Sequence, residues 1–395
     1  MIDRRLAGPA AGLALVLLVA GCSSSPADTS TGTTVNTVAA TTAADGEVPG
    51  NGWPVSQPEQ EGVDSQQLAA LFEQIGASDY SIDSVTIIRH GAIVADAYIP
   101  PFAPQTRHIV HSCTKSVVST LIGIAIEEGF IDGVEVPLLD LFPGVAVENA
   151  DPWKETMTLE DALTMTTGMD ARDSYLYGWR GLTSMRGSEA WTAHALSFPM
   201  TAEPGTHFDY SNTAAYLLSS ALQHATGMTT ADFADQYLFG PLGITDYVWP
   251  VSPEGVNIGW GELRLVPHDM AKLGYLMLRG GEWEGVQIVP EEWVRSATTA
   301  HVAAGTLSDG YGYQWWIDEG GHFTALGYAG QYIAVLPAQD AVVVFTSDLP
   351  EAQFFVPRDL LEQFIIPAMD SDEPLPESTG GQARLAAAIE ALAEG

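Results

Sequence analysis

Three patterns of apolar and polar positions run through the chain, and each predicts a kind of element. Residues 109–129, IVHSCTKSVVSTLIGIAIEEG, are apolar almost all the way round a helical wheel. This predicts a buried helix that ends at Gly129. Residues 64–76 are apolar on one side only, which is typical of an amphipathic helix. Further helical patterns lie at 159–165, 214–225 and 354–366.

Strand-like patterns occur near both ends of the domain. Residues 84–88 and 92–95 flank His90-Gly91, which predicts a β-hairpin. Short apolar runs between turns predict further strands at 311–317, 322–326, 331–336 and 341–346. Because mainly helical sequence lies between them, at about 137–300, we expect an α+β domain at 53–372. In this domain we expect one antiparallel sheet, built from both ends of the chain and flanked by helices, with a large helical insertion. Residues 373–395 are acidic and then alanine-rich, which predicts a tail with a loose helix.

The N-terminal segment has the pattern of an export signal. Arg4 and Arg5 precede an apolar run, which ends in Val19-Ala20-Gly21-Cys22. This predicts a lipoprotein signal peptide at 1–21 and lipid attachment at Cys22, with an ordinary signal peptide as the alternative. Residues 22–52 are rich in Ser, Thr and Ala, which predicts a flexible tether. We therefore expect an exported protein anchored by lipid on the outer face of a bacterial membrane.

The strongly acidic composition of the chain argues against one class of binding partner and leaves few lysines. The 395 residues include 15 basic and 50 acidic side chains, a net charge of −35. Such a surface repels nucleic acid, so we expect no nucleic-acid partner. The only lysines are Lys115, Lys154 and Lys272, and the first lies inside the most apolar helix. Since a buried lysine is costly unless it is paired or used, Lys115 needs a chemical reason.

Ser112 and Lys115 together supply such a reason. Residues three apart lie on one face of a helix, so the two side chains are neighbours. A serine hydroxyl becomes a nucleophile when a base removes its proton, and a lysine can be that base when burial lowers its pKa. The helix N-terminus also offers backbone N–H groups to an oxyanion. Cys113 is a candidate thiol nucleophile or, alternatively, a small buried apolar residue.

A second polar cluster, Tyr210-Ser211-Asn212, follows the turn at Pro204-Gly205 and precedes an apolar helix. Ser211 or Asn212 is a good cap for that helix. A tyrosine near a lysine can also relay protons, so Tyr210 is a candidate catalytic residue.

The motifs S-x-x-K and Y-x-N, in this order, resemble the penicillin-recognising serine hydrolases. That family includes class C β-lactamases, D-alanyl-D-alanine carboxypeptidases, related esterases and 6-aminohexanoate-dimer hydrolase. Other similar segments are 163–168, 263–265, 269–274, 310–316 and 327–331. The resemblance covers 53–370 and implies a β-lactamase/transpeptidase-like fold. It also implies an acyl-enzyme on Ser112, proton transfer by Lys115 and Tyr210 with support from Asn212, and no metal or cofactor.

One family motif, Lys-Thr-Gly, is missing. We expect Ala325-Leu326-Gly327 in its place, with 322–324 as the alternative, because the glycine lets substrate approach the strand. The backbone N–H of Tyr328 then completes the oxyanion site. In β-lactamases the lysine helps to hold the substrate carboxylate, so its loss favours small esters or amides over penicillins.

The pattern A-x-G-x-x-G-Q resembles the branch of 6-aminohexanoate-dimer hydrolase and its esterase relatives. In that branch a tyrosine in the loop after the Thr167-Gly168 turn contacts substrate. The resemblance therefore implies Tyr175, with Asp173, as candidate substrate-binding residues.

Several other functions compete with this interpretation. A Ser-His-Asp hydrolase lacks its G-x-S-x-G motif here, and a zinc hydrolase lacks H-E-x-x-H. His108 and His111 are three residues apart but have no evident third ligand. A β-lactamase or D-alanyl-D-alanine carboxypeptidase remains an alternative, as does an inactive binding lipoprotein of the same fold.

Overall fold

The computed structural model of the chain describes residues 52–173, 178–305 and 307–394. Cys22 and Tyr175 lie outside these ranges, as do the expected signal peptide and the tether up to residue 51.

Helices and short strands alternate along the described chain. The α-helices are α1 (Ser65–Ala77), α2 (Cys113–Glu127), α3 (Pro152–Thr156), α4 (Leu159–Leu163), α5 (Arg180–Arg186), α6 (Trp191–Leu196), α7 (Asn212–Thr226), α8 (Thr230–Ala234), α9 (Pro267–Leu278), α10 (Glu291–Ala297), α11 (Val356–Leu360), α12 (Ile366–Ala368) and α13 (Thr379–Glu394). The strands are β1 (Ile82–Arg89), β2 (Ala92–Tyr98), β3 (His108–Ile109), β4 (Arg264–Leu265), β5 (Glu282–Trp283), β6 (Val286–Gln287), β7 (Val302–Ala303), β8 (Gly310–Tyr311), β9 (Trp316–Ile317), β10 (Phe323–Gly327), β11 (Gln331–Leu336) and β12 (Ala341–Ser347).

The main sheet joins the two ends of the domain. Its strand order is β2-β1-β12-β11-β10-β9-β8-β7, and its ladders are antiparallel. The junction pairs β1 with β12, for example Ile87 opposite Val343. Every residue of β1, β11 and β12 is buried, so both faces of the sheet are covered. This confirms the α+β class and the sheet built from both ends.

Helix α2 is confirmed as a buried helix, but it is shorter than its pattern predicts. The residues from Cys113 to Ala125 are all buried, since α2 packs against α7, α10 and the sheet strand β10. The prediction was wrong at the start, where His108–Ile109 forms a strand with Arg264–Leu265 instead. His111 interrupts the helix because its φ is 46°. At the other end Gly129 has a φ of 74°, typical of a helix stop.

Two other elements differ from their predicted form. Residues 311–317 do not form one strand, because β8 and β9 fold back on each other as a hairpin. The turn places Gly312 so close to the Ala297 carbonyl that a Cβ there would lie 2.1 Å from its oxygen. The predicted helix 354–366 begins at Val356 and changes to a π-helical segment over Leu361–Ile365.

The helical insertion is smaller than expected. Helix α9 lies within its expected bounds but packs on β11 and β12, so the separate helical part consists of α3 to α8.

The last helices of the chain pack on the sheet and on α1. Beyond 372 the chain forms α13, which packs along α1 with Leu385, Ala388 and Leu392 buried. In the part of the chain that the structure describes, no helix has the length and apolarity to cross a membrane.

Candidate active site

Ser112 and Lys115 meet at the start of α2. Ser112 is the first residue before the helix, and its side chain makes no capping hydrogen bond there. Instead, Lys115 Nζ donates to Ser112 Oγ over 3.0 Å, as the three-residue spacing predicts. The hydroxyl therefore lies next to an amine at a helix N-terminus, where an anion is favoured.

The Lys115 side chain is 1% exposed and surrounded by neutral oxygen acceptors. Nζ donates to Asn212 Oδ1 over 2.7 Å and to the Trp260 carbonyl over 2.8 Å, besides the Ser112 hydroxyl. Burial lowers the pKa of Lys115 to about 7, although the Asp173 carboxylate acts in the opposite direction. A large fraction of this lysine is therefore neutral near pH 7, in the form that can accept a proton.

Tyr210 covers the other side of the amine. The centroid of its ring lies 4.8 Å from Lys115 Nζ, and the ring stacks on Trp316 at 5.5 Å between centroids. Burial raises the pKa of Tyr210 well above its ordinary value, and a hydrogen bond with the Ser112 side chain offsets part of that rise. Near pH 7 the resting pair is thus a partly neutral lysine beside a protonated tyrosine.

Helix α7 brings Asn212 to this pair. Ser211 Oγ accepts the Ala214 N–H over 3.1 Å, so Ser211 caps the helix. Because Ser211 takes that role, the Asn212 side chain is free to bond Lys115. The structure thus brings together Ser112, Lys115, Tyr210 and Asn212.

The end of β10 lies against the residues that precede Ser112. A Cβ at Gly327 would lie 2.5 Å from the Val110 carbonyl oxygen and 3.2 Å from the His111 Cβ. The close neighbour of this glycine is therefore the chain before α2. Tyr328 follows, 51% exposed, with its ring centroid 5.7 Å from that of His111.

The register Ala325-Leu326-Gly327 agrees with this placement, since Gly327 ends β10 beside the start of α2 and Phe323 begins the strand at the far end. Ala325 is buried against α2, where the Cys113 thiol donates to its carbonyl over 3.2 Å. Burial also raises the pKa of Cys113, which keeps the thiol protonated. Cys113 is thus a small buried residue rather than a nucleophile.

Asp173, which the resemblance implies as a substrate-binding residue, lies buried against the start of α7. Its side chain is buried, with the residue 1% exposed, and it accepts the Thr213 N–H over 2.6 Å and the Leu182 N–H over 3.3 Å. A carboxylate in this position supports α7 from behind the site. Tyr175, its expected companion, lies outside the described residues.

Two contributions were not found from the sequence. Trp260 offers its backbone carbonyl to Lys115, and a backbone acceptor leaves no trace in the residue type. Trp316 stacks on Tyr210, and its only signal was the segment 310–316 that resembles the family.

The two histidines considered for zinc have separate surroundings. The buried His108 lies 3.2 Å from Asp83, whereas His111 packs on Tyr328. Among the described residues, no group of three or more His, Cys, Asp or Glu side chains is placed to hold a metal ion.

Comparison with known proteins gives concordant results. A family model described as Beta-lactamase matches residues 68–364. A 6-aminohexanoate-dimer hydrolase of Paenarthrobacter ureafaciens is 26% identical over 68% of this chain and 73% of its own length. Among solved structures, a putative 6-aminohexanoate-dimer hydrolase from Bacillus anthracis has a TM-score of 0.64 at 21% identity, covering 82% of this chain and 89% of that one. EstCE1, a hydrolase with promiscuous acyltransferase activity, also has a TM-score of 0.64, at 16% identity, covering 76% and 99%. These likenesses confirm the β-lactamase/transpeptidase-like fold.

Proposed function

The chain belongs to the Beta-lactamase family and is a serine hydrolase, and on that premise we propose that it cleaves small esters or amides through an acyl-enzyme on Ser112. The observation that carries the proposal is the 3.0 Å contact between Ser112 Oγ and Lys115 Nζ, in surroundings that leave a large fraction of the amine neutral near pH 7. A nucleophile and its base within hydrogen-bond distance are what covalent catalysis requires.

The proton transfers follow from the two side chains around the hydroxyl. Neutral Lys115 accepts the Ser112 proton as Oγ attacks the substrate carbonyl. The oxyanion is held by the backbone N–H groups of Ser112 and Tyr328. Tyr210 gives its proton to the leaving group and regains one from Lys115. A water molecule, deprotonated by the same pair, then attacks the acyl carbon and releases the acid, with Ser112 reprotonated.

The substrate class follows from what the relatives cleave and from what this site lacks. The relatives are named as a 6-aminohexanoate-dimer hydrolase and a hydrolase with promiscuous acyltransferase activity. Ala325 stands where related β-lactamases carry a lysine that helps to hold a carboxylate. Small esters, and small amides of the aminohexanoate type, fit such a site better than penicillins.

Labelling with a fluorophosphonate tests the nucleophile. The wild-type protein should gain one adduct in the intact mass, mapped by peptide sequencing to Ser112, and Ser112→Ala should gain none. Ser119→Ala is the matched control, since Ser119 lies buried in the same helix and its hydroxyl has no hydrogen-bond partner among the described residues. An adduct that persists in Ser112→Ala rules the assignment out, and no adduct on the wild type favours a binding protein.

Comparison of kcat/KM for p-nitrophenyl butyrate and nitrocefin tests the substrate class. We expect the ester to be the better substrate. A much higher value for nitrocefin would identify a β-lactamase instead.

We also propose that the protein is exported and anchored by lipid on Cys22, which rests on the sequence Val19-Ala20-Gly21-Cys22 after an apolar run. Expression in a bacterium should give a membrane fraction in which the N-terminal peptide carries lipid. A Cys22→Ala form that distributes between fractions like the wild type would contradict this.

A further inference from the structure

A carboxylate is buried directly behind the Ser112–Lys115 pair, where the proposed reaction gives it no task. Asp173 lies between the start of α5 and the start of α7, and it accepts backbone N–H groups from both, at Leu182 and Thr213. It is 1% exposed, and no basic side chain forms a salt bridge with it among the described residues. A buried carboxylate is costly unless hydrogen bonds satisfy it, and here the two backbone N–H groups do so without a cationic partner.

Asn212 connects this carboxylate to the lysine. Its Oδ1 accepts from Lys115 Nζ over 2.7 Å. Its amide group faces Asp173 and acts to lower the pKa of that carboxyl, and the N–H of the next residue, Thr213, donates to the same carboxylate over 2.6 Å. A primary amide has one oxygen and one nitrogen, so each end of Asn212 has a single suitable partner. If the amide rotated by half a turn, its N–H groups would face the lysine and its oxygen would face the carboxylate. Both contacts would then be lost.

We propose that Asp173 is a positioning residue that fixes the orientation of the Asn212 amide and thereby holds the Lys115 amine against Ser112. This assignment rests on the proposed role of Ser112 and Lys115. The carboxylate touches neither substrate nor the reacting atoms, and it acts through Asn212 and through its negative charge.

The charge of Asp173 also affects the lysine. Burial raises the pKa of Asp173 to about 6, while its hydrogen bonds and Lys115 act to lower it. The carboxylate in turn favours the protonated form of Lys115. Among the described residues, the other titratable groups that face this pair are Cys113 on α2, Tyr210 before α7 and His111 before α2, and Tyr311 on β8 lies beyond Tyr210. Burial keeps these four groups neutral near pH 7, so the negative charge that raises the pKa of Lys115 is that of Asp173.

Nuclear magnetic resonance of the wild-type protein tests the coupling without any substrate. The chain has three lysines, so labelling with 13Cε-lysine gives three resonances, and Lys115→Arg assigns the one of interest. We expect that resonance to move in two steps, a main one near pH 7 and a smaller one near pH 6 as Asp173 takes up a proton. A single step, with no change near pH 6, overturns the proposal even if no variant folds.

Asp173→Asn removes the charge at nearly constant volume. The lower step should vanish, and the main step should move to lower pH by about 0.5 unit or more, because the protonated amine loses a favourable neighbour. In the pH profile of kcat/KM, the fall on the acid side should move to lower pH as well. At the pH optimum, kcat should fall with little change in KM. A lysine resonance and an acid-side fall that stay at the wild-type pH would show a purely structural role and overturn the proposal.

Asp170→Asn is the matched control, because Asp170 lies three residues earlier in the same loop and pairs with exposed Arg172. It should leave both titration curves unchanged, and an equal shift in this control would assign the effect to general surface charge, against the proposal. Fluorophosphonate labelling keeps the two hypotheses apart. Loss of labelling at Ser112 defeats the proposed function, whereas a one-step lysine titration with labelling intact defeats only the role of Asp173.

Discussion

Lys115, Lys154 and Lys272 are the three lysines of the chain, and the structure buries all of them in different surroundings. Lys154 Nζ donates to three backbone carbonyls, those of Glu148, Leu196 and Phe198. Lys272 forms an ion pair with Asp269 at 2.8 Å. Of the three, only Lys115 donates to a hydroxyl that can become a nucleophile. Its chemistry therefore comes from its acceptors rather than from burial alone.

The first prediction concerns pH. Because the proposed base is the neutral amine, kcat/KM for an ester should fall as the pH drops through about 7, where Lys115 becomes protonated. Well below that pH the loss should approach about tenfold per unit. A pH profile from 5 to 9, corrected for spontaneous ester hydrolysis, measures it. A profile that stays flat down to pH 5 would exclude Lys115 as the base.

The second prediction treats Lys115 and Tyr210 as one catalytic unit. Lys115→Ala, Tyr210→Phe and the double variant should each lower kcat by similar factors, on the order of a thousand-fold, because either loss stops the same proton path. Single-turnover kinetics with an activated ester measure the three rates. If the two losses multiply in the double variant, the residues act independently. Near-normal activity of Tyr210→Phe would leave the tyrosine a structural role.

The residues of the site differ in how far sequence could predict them. Helical geometry predicted Ser112 beside Lys115 from their spacing, whereas the resemblance of S-x-x-K and Y-x-N to a known family linked Tyr210 and Asn212 to that pair. The rarity of lysine was weaker evidence, since Lys154 and Lys272 are also buried. The position of Asp173 depends on how the loop before α5 packs on α7, and local sequence does not encode that contact.

At the scale of elements, the site depends on how closely β10 approaches the start of α2. The contact brings Gly327 against Val110 and His111, and His111 adopts a φ of 46°. Residues other than glycine uncommonly adopt this left-handed conformation, so the turn before Ser112 is held by its surroundings. The Val110 N–H also donates to the Leu263 carbonyl over 2.9 Å.

The third prediction follows from that approach. In Gly327→Ala the new Cβ would lie 2.5 Å from the Val110 carbonyl oxygen, so the end of β10 must move away. We expect a loss of about 1–3 kcal/mol in the free energy of unfolding and a larger fractional loss in kcat, since Tyr328 moves too. Gly380→Ala is the control, because Gly380 lies within α13 and a Cβ there would meet only a side-chain atom, at 4.0 Å. Chemical denaturation and ester kinetics compare the two, and equal behaviour would contradict the prediction.

Elements with a regular local pattern were predictable. Strands β11 and β12 follow continuous apolar runs, and α1 has one apolar face, so neighbouring residues suffice to define them. The hairpin β8–β9 was missed because tertiary contacts hold its turn. Gln314, with a φ of 65°, donates from Nε2 to the Leu163 carbonyl over 2.6 Å. An apolar run cannot reveal a turn fixed by such a distant acceptor.

At the scale of the whole molecule, the C-terminal segment closes the domain against its first helix. Besides packing on α1, α13 is tied by polar contacts, since Gln382 donates to the buried Glu59 over 2.8 Å. The Leu375 N–H donates to the Glu59 carbonyl at the same distance. Sequence alone suggested a loose tail because α13 has only a thin apolar stripe. Its complement on α1 is distant in the chain.

The fourth prediction tests whether α13 is part of the domain. Truncation after Asp372 uncovers the face of α1 that Leu385, Ala388 and Leu392 bury, at a cost of about 1.5–3 kcal/mol for each fully buried leucine. The two leucines together correspond to about 3–6 kcal/mol. We therefore expect the melting temperature to fall by about 6 °C or more, since 1 kcal/mol corresponds to about 2–4 °C for a large domain. Arg384→Ala removes exposed contacts alone, an ion pair with Glu73 and hydrogen bonds to Gln66, and should change the melting temperature by about 1 °C or less. Circular dichroism on heating measures both proteins. An unchanged melting temperature in the truncated protein would show that the domain ends before α13. A lower one with normal ester hydrolysis at 25 °C would show that α13 stabilises the fold without shaping the site.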